Sequence, residues 1–175
     1  MECIKRKLKF LNDSDKESVE EYFFKYAFPC MMVIVKRGGM TPEKFREILS
    51  NYKQGNVPNK KELEEIFKAA FRRLNVLGKE INKDKWNIEV IENYWKGQEH
   101  NKFIEEKEGS YSETSEEFNE LCKIHKAEIT DVLGEMYRVK YGNGKIRNVF
   151  NMFLPEAKIG DIVTIHFYYA IEKVD

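Results

Sequence analysis

Residues 136–150 read MYRVKYGNGKIRNVF. Met136, Arg138 and Lys140 alternate with Tyr137, Val139 and Tyr141, the two-residue period of a strand with one buried face. Gly142, Asn143 and Gly144 supply a hairpin turn, and residues 146–150 the return strand. Downstream, residues 155–161 make a second turn. Val163, Ile165 and Phe167 then alternate with Thr164, His166 and Tyr168 along a strand predicted over residues 162–169. Five short strands in roughly 50 residues, with no helix between them, predict a small closed five-stranded barrel of the OB type over residues 121–175.

Working upstream, the period lengthens to that of a helix. Ser14 and Glu17 form a capping-box signature, and the helix they open carries Val19, Tyr22, Phe23, Tyr26 and Ala27 toward a core until Pro29 kinks or ends it. Thr41 and Pro42 open a second helix, with Phe45, Ile48 and Leu49 inward. Asn59 and Glu62 repeat the capping pattern ahead of Leu63, Ile66, Phe67, Ala70, Phe71 and Leu74, which read as one amphipathic helix ending near Gly78. A further helix presents Trp86, Ile88, Ile91 and Trp95. Residues 105–117 are acidic and rich in Ser and Gly, the composition of a linker. The expected protein is therefore α+β, with a helical domain over residues 1–112 and a separable barrel over 121–175.

Thirty Lys and Arg balance thirty Asp and Glu. The whole-chain field thus has no long-range pull on nucleic acid or anionic membrane, and no run approaches the roughly 18 apolar residues of a membrane span. Cysteines at 3, 30 and 122 form no CxxC pair. Their odd count, without a secretory signal, reads as reduced thiols in the cytoplasm. No Ser-His-Asp set, Walker sequence or paired-carboxylate motif is present, so no enzymatic activity is expected.

The run LPEAKIGDIVTIHFYYAIEKVD, residues 154–175, resembles the end of the barrel of the HypC family, small chaperones of nickel-iron hydrogenase maturation. Pro155, Ala157, Lys158, Gly160 and Asp161, the strand histidine His166 and the triplet Ala170, Ile171, Glu172 match the family pattern. Gly142 to Gly144 and the basic strand after them match its glycine turn and return strand, and Cys122 falls where the family has its essential cysteine. The likeness covers residues 122–175 and leaves the helical part unaddressed. It implies a non-enzymatic adaptor that docks on a maturation scaffold or on the hydrogenase large subunit. Its cysteine and histidine would handle a transient iron moiety, with no tightly bound cofactor. In the family the cysteine becomes the mature N-terminus and opens a Cys-x-x-Ile-Pro run; here it is internal, and the run is Cys122, Lys123, Ile124, His125, Lys126.

Partner or iron binding is thereby assigned to Cys122 and His166, with His125 able to complete a Cys-His-His set. Cys122 is either an exposed thiol activated by Lys123 and Lys126 or a small buried hydrophobe. His166, on the opposite face from Val163, either meets solvent or lines a shallow surface site with Thr164 and Tyr168. A second function class stays open. Small barrels hold single strands on aromatic and basic residues, and Tyr137, Arg138, Lys140, Tyr141, Lys145 and Arg147 have that composition. The chain's electrical neutrality weighs against it. A third reading keeps the HypC-like fold for an unrelated protein-interaction role.

Overall fold

The structure, a computed structural model, describes residues 17–174. Ser14 and Cys3 lie outside the described residues. The first described helix, α1 (Val19–Ala27), is capped by Ser18, whose hydroxyl accepts from the Glu21 N–H while the Glu21 carboxylate accepts from the Ser18 N–H. Pro29 does not stop the chain. It sits in a 3₁₀ turn, Phe28–Cys30, that hands over to α2 (Met31–Lys36), because a proline near the start of a turn gives up no N–H that the turn needs. Thr41 caps α3 (Pro42–Lys53).

The Asn59 and Glu62 capping box opens α4 (Lys60–Ile66). The sequence predicts one helix onward to Gly78; the structure breaks it at Phe67 (φ −103°, ψ 44°), where α5 (Lys68–Glu80) begins. The buried Phe67 ring meets Phe23 edge-on, centroids 5.6 Å apart. Gly78 lies inside α5 and does not end it. There its carbonyl accepts from the Lys83 N–H, which folds the following loop back onto the helix. After α6 (Ile88–Trp95) and α7 (Glu99–Glu105) come a 3₁₀ turn, Gly109–Glu113, and α8 (Glu116–Cys122).

Five strands follow: β1 (Ile124–Leu133), β2 (Met136–Tyr141), β3 (Lys145–Phe150), β4 (Ile162–His166) and β5 (Tyr169–Lys173). They close in the order β1-β2-β3-β5-β4, antiparallel except where β3 meets β5 at Phe150 and Tyr169. Ile129, Tyr137, Val139, Val149, Val163 and Ile165 fill the barrel, as alternation requires. The strand expected over residues 162–169 is two strands. Phe167 adopts a left-handed backbone (φ +52°), its N–H bonding to the Leu121 carbonyl and its own carbonyl accepting from Arg147. That conformation is costly for a bulky side chain and reverses the chain.

Helices and barrel share apolar packing. Ile124 and Ile171 are buried in the helical core, with Met152, Phe153 and Tyr169 packed against it. Phe28 meets Phe153 and Tyr169 at 5.5 and 5.4 Å. The acidic stretch over residues 105–117 is largely exposed but tied down: Ser110 accepts from Arg37, and Asn119 donates to the Tyr111 carbonyl and accepts from Thr114. Among the described residues no helix is long and apolar enough to cross a membrane.

Candidate functional site

His166 ends β4 with its side chain directed away from the barrel interior, which Val163 and Ile165 occupy. Alternation along the strand puts it on that outer face. It meets neither solvent nor a shallow surface site, because α1 covers the face and buries the ring completely. Thr164, one pleat earlier, is buried the same way beside the Tyr26 hydroxyl.

The ring's Nδ1 lies 2.8 Å from the Tyr26 carbonyl oxygen. A carbonyl oxygen only accepts, so Nδ1 carries the hydrogen of the neutral ring and Nε2 keeps its lone pair. That Nε2 is 3.7 Å from the sulfur of Cys30, the last residue of the 3₁₀ turn. His100, in the first turn of α7, meets His166 edge-on with centroids 5.1 Å apart. Its Nδ1 is 3.4 Å from Asn101 Oδ1. The same oxygen accepts from the Ile124 N–H at 2.8 Å, while the Asn101 amide nitrogen donates to the Ile124 carbonyl. Asn101 is thus pinned by β1 and offers His100 only an acceptor, which leaves the second ring with a bare Nε2 as well. One ligand atom from each of Cys30, His100 and His166 lies within 4.8 Å of the others.

Burial sets the charge state. It pushes the His166 pKa down to about 4, against the opposing pull of the Tyr26 and Cys122 carbonyls. His100 is held well below the ordinary histidine range by burial and by its neighbour His166. The Cys30 thiol is pushed up to about 12 by burial, with Arg73 and Arg37 pulling the other way. Burial also raises Cys122. At neutral pH the cluster is therefore two neutral imidazoles beside one protonated thiol: a poor nucleophile, but good donor atoms once a metal displaces the thiol proton.

Cys30 and His100, with Cys122, Arg37, Arg73 and Tyr111, line a pocket of about 180 Å³. Cys30 keeps partial exposure there while Cys122 is buried. Arg73 and one further lining residue, Trp95, bring buried donors that make no hydrogen bond, Arg73 Nε, which lies 3.9 Å from the Glu108 carboxylate, and Trp95 Nε1. A roomier hollow of about 250 Å³ beside Asn51, Val57 and Glu62 gathers neither thiol nor imidazole.

The sequence-predicted residues divide. Cys122 and His166 both border this seam, but the Cys122 sulfur is not among the clustered ligand atoms. His125 points the other way from β1, its ring 4.9 Å from Tyr141 and its Nε2 3.3 Å from the Glu120 carboxylate, so it does not join them. The cluster's other members, Cys30 and His100, were missed. They come from a turn and a helix far from β4 in sequence, and no ligand spacing announces them. Of the residues considered for nucleic acid, Tyr137 and Tyr141 point into the barrel. Arg147 is buried, bonding to the Phe167 carbonyl and the Tyr141 hydroxyl. Arg138, Lys140 and Lys145 remain exposed, so the two tyrosines give no surface for stacking bases. Comparison with protein-family models, with curated proteins and with solved structures finds no match to this chain.

Proposed function

We propose that this protein is a non-enzymatic assembly adaptor of the HypC kind, which docks on a protein partner of nickel-iron hydrogenase maturation and carries an iron moiety as transient cargo. What supports this reading is that Cys122 and His166, the two residues singled out by the resemblance, both border the seam between barrel and helices: Cys122 lines the pocket there, and its backbone carbonyl acts on the buried His166 ring. Thiol and imidazole are suitable donors for iron, and their burial keeps them uncharged and unreactive until a metal arrives. The helical part covers the histidine face of the barrel, so cargo chemistry takes place inside the seam while the opposite barrel surface is free for the partner.

The test is a pull-down from native lysate with the tagged protein, followed by identification of what co-purifies. The maturation scaffold or the hydrogenase large subunit should be enriched, and less so with His166→Ala. If neither is enriched by wild type that carries its full helical part, the adaptor reading fails, leaving a HypC-like fold in unrelated use.

A further inference from the structure

We propose that Cys30, His100 and His166 form a three-ligand site for an exchangeable borderline divalent metal ion of the zinc or cobalt kind. The site shares His166 with the adaptor reading but rests on its own geometry: its other two ligands belong to the helical part, which the HypC resemblance does not reach.

The geometry is close to that of a bound ion. Zn–S near 2.3 Å and Zn–N near 2.05 Å in a tetrahedron put sulfur and nitrogen about 3.6 Å apart and two nitrogens about 3.3 Å apart. The Cys30 sulfur and His166 Nε2 already stand 3.7 Å apart. The cluster's outer limit of 4.8 Å leaves at most about 1.5 Å to close, within the reach of side-chain rotation.

Orientation favours the same conclusion. Each imidazole has its Nδ1 hydrogen directed at an oxygen, Tyr26 O for His166 and Asn101 Oδ1 for His100. Such outer partners fix the tautomer and aim the bare nitrogen of a metal-ligating histidine. The protonated Cys30 thiol can donate to the bare His166 Nε2 at 3.7 Å, and a metal would take the place of that proton while drawing in His100.

Three protein ligands leave a fourth position open, the arrangement of sites that exchange what they hold. Here it would face the pocket lined by Cys30 and His100, where Trp95 Nε1, a buried donor that makes no hydrogen bond, suits a fourth ligand that accepts one, such as water or hydroxide. Cys122 lines the same pocket but its sulfur is not among the clustered ligand atoms.

Cobalt(II) titration of the reduced full chain is the test. One equivalent should bind and give a thiolate-to-cobalt charge-transfer band. Affinity should fall at least tenfold in Cys30→Ser and in His100→Gln, each checked for a wild-type far-ultraviolet circular dichroism spectrum. Cys30→Ser is nearly isosteric and serves as the deciding variant should His100→Gln misfold. X-ray absorption of the zinc-loaded wild type, which needs no variant, should read sulfur and imidazole nitrogen around the ion. Failure of folded wild type to bind, a first shell without sulfur, or binding that survives Cys30→Ser but is lost in Cys122→Ser would each overturn the site. Binding without any hydrogenase-maturation partner in the pull-down would leave the site standing and remove only the adaptor reading.

Discussion

The Tyr26 side chain joins the helical part to the barrel. Its hydroxyl donates to Glu172 at 2.6 Å and lies 3.1 Å from the Thr164 hydroxyl, while its carbonyl oxygen takes the His166 hydrogen. Tyr26→Phe keeps the ring stacked on Trp95 but leaves buried partners unpaired, so a loss of about 1–3 kcal/mol is expected in urea unfolding. A loss within error of zero would mean that Glu172 and Thr164 find other partners. Glu172 itself is buried enough to resist ionisation, yet the Tyr26 hydroxyl together with Lys25 and Lys96 outweighs this and holds its carboxyl below the ordinary range. As pH falls the unfolded chain takes up this proton first. The stabilisation is therefore present above the unfolded pKa and lost as pH drops through the lowered folded value. Comparing wild type with Glu172→Gln from neutral pH down through about pH 4, the stability gap should narrow on acidification; a gap that widens contradicts the sign.

Capping signatures were legible at two helices, where Thr41 and Asn59 cap as their spacing predicts, while Ser18, Asn87 and Ser115 cap helices without having been singled out. Breaks that depend on distant partners were not. Phe67 and Phe167 carry ordinary side chains in patterns that continue through them, and contacts with Phe23, Phe118, Leu121 and Arg147 accompany the interruptions. Gly78 shows the same dependence. Gly→Ala inside a helix normally stabilises by about 1 kcal/mol. Here a Cβ would stand 2.5 Å from the Lys83 carbonyl oxygen, a backbone atom, and overpacking of that kind costs on the order of 1–3 kcal/mol. Gly78→Ala should therefore lower the thermal midpoint, and a raised midpoint would show that the 83–85 loop yields without cost.

Across the whole molecule, the acidic stretch over residues 105–117 combines exposure with attachment at both ends. Ser110 and Tyr111 are bonded to other segments, while most of the glutamates reach solvent. Limited proteolysis should cut there first, giving two bands on a denaturing gel. Because Ile124, Ile171 and Tyr169 pack into the helical core, the nicked halves should still elute together in native size-exclusion chromatography. Separate elution would show that the shared packing is too weak to hold the parts once the chain is cut.

The sequence by itself determined the helical and barrel halves, the inward faces of the strands and the side of β4 on which His166 stands. All of these follow from local periodicity and from the chemistry of caps and turns, which act over a few residues. Only the tertiary structure decided that α1 covers the His166 face, that His125 turns away, and that Cys30 and His100 meet His166. Those outcomes depend on which apolar faces of helices and barrel bury each other, and the packing of one surface on another leaves no period in either segment.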